Sequence, residues 1–302
     1  MATHDSSSAP KTQRLDPAEV RRLLQWQPHV VPPEPPWRGE IEATLSAALP
    51  QEVVVEVMGP ARPAIGLWPQ RPDKRLTPTV TQFGGVPNVP RDFVWPMEDG
   101  ERFLFLASIN CAELHGLPGS EQLPSSGILA FFADPNGVTA LDFGVGHVCH
   151  WLSVDDLVPA TPEAVPNEIL PLAGMAFRPF LDLPDQWSVA LAQILSDREV
   201  RDRYAAIRSA FRNHGIPEDE RYYSGFTKLL GWPSLVQWHD LDAIETEPAS
   251  RDIRLLLQLD MYANGTERAD WGGTGGSLYF TIANADLVGA RFTNCDFDRQ
   301  FT

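Results

Sequence analysis

The chain carries the same short series of motifs twice. Each series begins with a Gly-x-Pro turn, continues with an apolar strand that ends in a polar residue, and closes with an aromatic strand that starts at a glycine. The first series occupies residues 85–87, 103–110 and 127–132, and the second occupies residues 231–233, 255–260 and 276–280. The two strands of each series are also separated by connections of nearly equal length. We therefore predict an internal duplication.

The residues before the first series show a different pattern. Residues 1–14 are polar and serine-rich, which predicts a disordered tail. Asp16 is followed by Pro17 and, three residues on, by Glu19, which is the pattern of a capped helix start. Ile41, Leu45 and Leu49 recur every fourth residue, which predicts a second helix, and the valine-rich residues 52–57 predict a strand.

We accordingly expect residues 15–80 to form N-terminal helices and a strand packed on a duplicated body, 81–302. The copies lie at about residues 81–150 and 226–292. Residues 185–213 carry apolar side chains at helical spacing and predict a long helical segment between the copies, with a break in the charged run 197–203. The many prolines and glycines elsewhere favour hairpins over βαβ units. The predicted fold class is α+β with mostly antiparallel sheets.

Composition narrows the range of partners. The chain has 40 acidic and 24 basic residues, for a net charge of −16. Such a chain repels nucleic acid and anionic membranes but attracts a basic protein. Cys111, Cys149 and Cys295 are odd in number and far apart, which argues against a disulfide framework and favours a reducing compartment. No stretch is long and apolar enough to cross a bilayer. We expect a cytoplasmic protein.

A set of short motifs resembles the bacterial YwqG-like family, a domain of unknown function. The resemblance begins at Gly84-Gly85-Val86-Pro87 and the Trp95-Pro96 that follows, and it covers roughly residues 81–292. It continues through residues 228–233, 256–260 and 271–272. What the resemblance implies is a compact α+β body with internal symmetry and no agreed activity. The chain departs from the family pattern at Ser108, where the family has glutamine, and at Gly273, where it has aspartate.

Four polar residues at the ends of the repeated strands are the candidate ligand site. Gln258 and Asp260 are two positions apart, so on a strand they share one face, and Ser108 and Asn110 are their counterparts in the first copy. If the pairs converge between the copies, they would line a polar pocket, to which we also assign His239. The alternative is that they hydrogen-bond to loop amides and to each other inside the body, as buried polar groups must.

Other motifs give weaker signals. His147, Cys149 and His150 are the only local cluster of good metal ligands, but on a strand at most two face one side, so we predict no metal site. The glycine-rich residues 271–276 lack the lysine and the following helix of a phosphate loop. We expect no cofactor and find no signature of a catalytic site.

Two functions follow from these observations. The first is a non-catalytic module that binds a protein. The negative charge favours a basic partner, as when an immunity protein covers a nuclease toxin. The alternative is a small-ligand-binding protein or enzyme with a polar pocket between the two copies.

Overall fold

The helices in the described part of the chain are short and few. The structure, a computed structural model of the chain, describes residues 37–70, 81–135, 144–161, 169–188, 191–214, 227–235, 252–260, 262–263, 268–269 and 276–301. The helices in these ranges are α1 (Arg38–Ala48), α2 (Gln51–Met58), α3 (Cys111–Leu114), α4 (Arg198–Arg212) and α5 (Asn284–Val288). Two 3-10 turns, Ser120–Gln122 and Phe292–Asn294, accompany them. The predicted helix start at Asp16 lies outside the described residues.

Antiparallel strands contain more of the described residues than the helices do. They are β1 (Arg62–Gln70), β2 (Gln82–Phe83), β3 (Asn88–Pro90), β4 (Met97–Glu98), β5 (Glu101–Arg102), β6 (Leu104–Asn110), β7 (Ile128–Ala133), β8 (Gly146–Trp151), β9 (Leu157–Pro159), β10 (Ala173–Asp182), β11 (Lys228–Leu230), β12 (Ile253–Asp260), β13 (Tyr262–Ala263), β14 (Arg268–Ala269), β15 (Gly276–Ala283) and β16 (Asp296–Phe301). The mixture of helices with mostly antiparallel sheets confirms the α+β class.

Ten of these strands form one sheet. Their order is β16-β15-β12-β11-β1-β10-β2-β6-β7-β8, and every pairing is antiparallel. At the centre, β1 and β10 pair over nine residues, from Arg62 opposite Asp182 to Gln70 opposite Gly174. Five strands therefore lie on each side of the contact between β1 and β10.

The main hydrophobic core lies between the two halves of this sheet. Phe131 of β7 and Phe280 of β15 make an edge-to-face contact, with ring centroids 5.2 Å apart. A Cβ atom added to Gly146 of β8 would lie only 2.6 Å from the Cβ atom of Phe297 in β16. The sheet therefore curls so that its two ends meet, and its inner face encloses the core.

The described parts of the two predicted copies share several local features. The backbone N–H of Asn110 donates to Thr81 Oγ1 at 2.9 Å, and that of Asp260 donates to Thr227 Oγ1 at 2.9 Å. Pairing of β6 with β7 has an irregularity between Phe105 and Ala107, and pairing of β12 with β15 has one between Leu255 and Leu257. The turns that follow β2 and β11 also correspond, because Gly85 and Gly231 both have positive φ angles, of 68° and 76°.

The valine-rich residues 52–57 form a helix, so the strand prediction for them was wrong. Pro50 precedes α2, and Val53, Val54 and Val57 are buried while Val55 is 60% exposed. That spacing belongs to a helix face, which packs in a second core with Ile41 of α1 and Tyr204 of α4. This packing outweighs the preference of β-branched residues for strands.

The structure confirms one of the other two helix predictions and corrects the second. Ile41, Leu45 and Leu49 are all buried, and the first two lie in α1, which confirms the predicted helix there. In the segment 185–213, regular α-helix begins only at Arg198, because the side chain of Asp197 accepts a hydrogen bond from Val200 N and caps the helix. Arg198 to Arg203 then lie within the unbroken helix α4, so the break predicted in the charged run was wrong.

We expect Val54→Ala to lower the free energy of unfolding by about 2 kcal/mol, because it removes buried methyl groups and leaves a cavity. Val55→Ala is the matched control and should change it by less than about 0.5 kcal/mol. Urea denaturation of both variants measures the difference. A strand would place Val55 on the same face as Val53 and Val57, so a larger loss from Val55→Ala would contradict the helix.

Candidate functional site

The four predicted ligand residues lie in two separate places. Ser108 and Asn110 are in β6, and Gln258 and Asp260 are in β12. Four strands stand between β6 and β12 in the sheet order. The structure therefore brings each pair together but does not bring the pairs to one another within the sheet. His239 lies outside the described residues.

In the first predicted copy, Ser108 and Asn110 lie near residues of their own part of the chain. Ser108 is buried and lies opposite Gln82 in β2, whose side-chain amide donates to Gly84 O at 2.8 Å. The side chain of Asn110 accepts a hydrogen bond from Ala112 N at 3.0 Å and so caps α3. Burial raises the pKa of Glu113 in that helix, while hydrogen bonds from Thr81 and Asn110 oppose the shift.

In the second predicted copy, Gln258 belongs to a hydrogen-bond network. Its side chain is fully buried, its Oε1 accepts from Ser234 N at 2.9 Å, and its Nε2 donates to Asp260 Oδ1 at 3.2 Å. The hydroxyl of Ser277 in β15 donates to the same Asp260 oxygen. The sequence left two alternatives open for these residues. The described contacts of Gln258 and Asp260 match the second, in which the side chains hydrogen-bond to loop amides and to each other.

A buried ion pair lies beside this network. Lys228 of β11 is directly opposite Gln258, and its Nζ lies 2.5 Å from Asp182 Oδ2. Both side chains are almost completely inaccessible, at 1% and 0% exposure. Asp182 Oδ2 also accepts the backbone N–H of Trp232 at 3.0 Å, and Lys228 Nζ lies 3.3 Å from Ser234 Oγ. The pair therefore holds the turn 231–234 against the last residue of β10.

The pKa values of the pair keep it charged at neutral pH. Burial, together with the nearby positive charges of Arg212 and Arg208, lowers the pKa of Lys228 to about 8. The attraction of Asp182 opposes this shift only in part. Burial alone would raise the pKa of Asp182, but attraction to Lys228, Arg212 and Arg208 outweighs it and leaves the pKa below its usual value.

Helix α4 contributes the two arginines. Arg212 Nη2 donates to Ser234 Oγ, and the pKa of Arg212 falls to about 10 because of burial and the charge of Arg208. Arg208 Nε donates to Leu183 O at 2.9 Å, and its Nη1 lies 2.9 Å from Asp185 Oδ2. These bonds fix α4 to the end of β10, so the network joins the helix, the turn and the sheet.

The sequence analysis assigned no role to Lys228 or Asp182. A signal was present, since a lysine that opens the apolar run 228–230 is a candidate for burial, and a buried lysine needs a carboxylate. The choice of Asp182 could not be read from the sequence, because it is 46 residues away and reaches Lys228 only through the pairing of β10 with β1 and of β1 with β11.

A separate groove runs between β8 and the 3-10 turn Phe292–Asn294. Its volume is about 540 Å³. The residues that line it are Val148, His150, Leu152, Ala290, Arg291, Phe292, Thr293 and Asn294. Val148 and Phe292 form a buried apolar floor, whereas Leu152 and Arg291 are exposed at the rim. The groove thus has an apolar base and a polar edge, and it lies between the two predicted copies.

The two histidines and the cysteine of β8 do not form a metal centre with other described residues. Within the described ranges, no three His, Cys, Asp or Glu side chains are grouped closely enough to hold an ion. His150 Nε2 lies 3.3 Å from Ser126 O, and burial raises the pKa of Cys149 to about 12. All three cysteines are free thiols. The glycine-rich residues 271–275 lie outside the described residues.

Comparison with known families identifies the body of the chain. Residues 81–300 match the family of domains of unknown function called DUF1963. The protein is a member of the DUF1963 family. This match includes Lys228, Gln258 and Asp260 as well as both predicted copies, but β1 lies outside it. The comparison with curated proteins found no match.

Among the described residues, no helix is long and apolar enough to cross a bilayer. The longest described helix, α4, has 15 residues and an alternating charged face.

We expect Lys228→Met to lower the free energy of unfolding by about 3–5 kcal/mol, because it leaves the Asp182 carboxylate buried without its counter-charge. Asp182→Asn combined with Lys228→Met should lose less than the sum of the two single variants, since the two side chains interact directly. Guanidinium denaturation measures all three. Arg198→Met, which removes one member of an exposed helical ion pair with Asp202, is the control and should have a much smaller effect. Additive losses for Lys228 and Asp182 would contradict the pairing.

Proposed function

We propose that this DUF1963 protein is a non-catalytic module that binds a protein, and that its partner is basic. The observation that carries the proposal is the distribution of charge between surface and interior. The buried charged residues of the described part are three cations, Arg178, Arg208 and Lys228, and two carboxylates, Asp134 and Asp182. Within the described part, burial therefore removes slightly more positive than negative charge from the surface of a chain whose net charge is −16.

Exposed acidic side chains are found on the N-terminal helices. Glu40 and Glu42 of α1 and Glu52 and Glu56 of α2 are all exposed, and Val55 lies beside the last two on the same helix face. Acidic surfaces of this kind accelerate association with basic proteins through long-range attraction. An immunity protein that covers a basic nuclease toxin is one partner class that fits.

The buried network favours binding over catalysis. Gln258 and Asp260, the strongest ligand candidates in the sequence, are engaged by Ser234 and Ser277 inside the protein. A catalytic group must reach its substrate, whereas Lys228 and Gln258 are both inaccessible in the described structure. Their contacts support a structural role for these residues.

Three further assignments belong to this proposal. Within DUF1963, we place the chain with the YwqG-like proteins, on the basis of Gly84-Gly85-Val86-Pro87 and Trp95-Pro96. We propose an internal duplication of the body, supported by the matching threonine contacts, strand irregularities and glycine turns of the two copies. We propose a cytoplasmic location, supported by three unbridged cysteines.

We expect the affinity for the partner to fall roughly tenfold or more when ionic strength rises from about 0.05 M to about 0.5 M, because salt screens the attraction between exposed charges. Purification from the native host at low salt, followed by native mass spectrometry, identifies the bound polypeptide. Calorimetry at both ionic strengths then measures its affinity. Sucrose at equal osmolality is the control and should leave the affinity unchanged. An acidic partner, or an affinity that salt does not alter, would contradict the electrostatic part of the proposal.

The groove between β8 and the turn 292–294 supports a second candidate function, the binding of a small ligand between the two copies. Its volume falls within the range of small-molecule sites. The apolar floor of Val148 and Phe292 suits an apolar group, and His150 and Arg291 at the edge suit an anionic group. Arg291 Nε already donates a hydrogen bond to Asp286 Oδ1 at 2.6 Å. A small apolar carboxylate combines the two features.

Phenylacetate and 2-phenylethylamine, which differ in the sign of their charge, test this candidate on the full chain. We expect phenylacetate to cause saturable shifts in the amide NMR signals of residues 148–152 and 290–294, and Arg291→Gln to weaken its binding, because the guanidinium no longer faces the carboxylate. Leu152→Asp, at the exposed rim, should weaken it as well by placing a negative charge at the groove. Equal shifts from the amine, or none from either compound, would exclude the carboxylate site.

A further inference from the structure

The order of strands in the sheet differs from their order in the chain in one systematic way. The strands of the ten-stranded sheet fall into two units along the chain. The first comprises β1, β2, β6, β7 and β8, and the second comprises β10, β11, β12, β15 and β16. In the sheet, β1 lies next to β11 of the second unit, and β10 lies next to β2 of the first. The first strand of each unit therefore pairs with strands of the other unit.

The contacts of β1 show how closely it is held by the second unit. Gly66 lies opposite Lys228, and Ile65 lies opposite Leu229. The backbone N–H of Leu67 donates to Thr227 O at 2.9 Å, which extends this pairing by a further hydrogen bond. Ile65 and Leu67 are both buried in the main core. Without β1, strand β11 would present an unpaired edge to solvent.

Contacts at the start of β1 and just before it strengthen this attachment. The guanidinium of Arg62 stacks on the indole ring of Trp232, with its carbon atom 3.7 Å from the ring centroid. Trp232 Nε1 donates to Pro60 O at 2.8 Å. Trp232 follows β11 and belongs to the turn that the Lys228–Asp182 pair holds in place. The start of β1 is thus bound to the second unit through side chains as well as backbone.

The reciprocal contact is made by β10. Ala173 and Gly174 lie opposite Phe83 and Gln82 of the first unit, and Gly85 N donates to Leu170 O at 2.8 Å. A Cβ atom added to Gly85 would lie 2.9 Å from Leu172 Cδ1, so the turn after β2 also packs tightly on the start of β10. The two first strands then pair with each other over nine residues.

We propose that the protein is a strand-exchanged pair of units joined in one chain, and that β1 is an obligatory part of the DUF1963 fold although it lies outside the matched residues 81–300. The interaction surface is the edge of β11, and the segment that it accepts is the strand 62–70 of the other unit. Exchange of an identical element between protomers is how domain-swapped dimers form. The chain has the same arrangement with both units covalently linked.

The test cleaves the folded full-length protein between the units. A protease site inserted between residues 163 and 164 separates the first unit from the second after folding. We expect native mass spectrometry to show both fragments together at the mass of the uncleaved chain plus one water molecule, since each holds the first strand of the other. We also expect them to part only in denaturant. Fragments that part in native buffer, or that each refold alone as a monomer with native circular dichroism, would overturn the proposal.

Amide hydrogen exchange on the unmodified chain provides a second measurement that needs no inserted site. If β1 is obligatory, residues 64–68 should exchange as slowly as β6 and β7, because they open only when the sheet unfolds. The exposed hairpin of β4 and β5, which lies outside the ten-stranded sheet, is the internal control and should exchange much faster. Exchange of β1 at the rate of this hairpin would show that the strand is dispensable and would overturn the proposal.

Discussion

The antiparallel pairing of β1 with β10 is the contact on which the rest of the structure depends. Each of these strands has a second partner, β11 for β1 and β2 for β10, so the central pair links all ten strands of the sheet. The register matters as much as the contact, because a slip of one residue would turn the side chains of β1 to the opposite face. Ile65 and Leu67 would then leave the core, and Gly66 would no longer lie opposite Lys228.

The same pairing positions the only fully buried ion pair among the described residues. Asp182 lies at the end of β10 that pairs with Arg62, and Lys228 lies on β11 opposite Gly66. Glycine at position 66 leaves little room for anything larger, since an added Cβ atom would lie 3.1 Å from Arg178 O. In the first copy, Gln82 lies opposite Gly174 as Lys228 lies opposite Gly66, and it makes a neutral hydrogen bond to Gly84. The two predicted copies thus have similar backbone pairing at this point but differ in charge.

Local patterns in the sequence predicted several parts of this structure correctly. The spacing of Ile41 and Leu45 predicted α1, because a helix face buried in a core requires that period. Alternation could not distinguish strand from helix for residues 52–57, where β-branched residues on a short segment fit both, and packing against α1 and α4 decided the outcome. The sequence therefore predicted elements well where one periodicity was strong.

Long-range pairing was beyond the reach of these patterns. Gln258 and Asp260 were singled out as polar residues on an apolar strand, but their partners Ser234 and Ser277 come from a turn and from a neighbouring strand. Lys228 and Asp182 meet only because strands from both units interleave at the centre of the sheet. A buried ion pair gains little stability over an apolar pair of equal volume, yet loses much when one member is removed. Any arrangement of the central strands that separates Lys228 from Asp182 would leave a buried charge without its partner, so the pair adds a penalty to such arrangements.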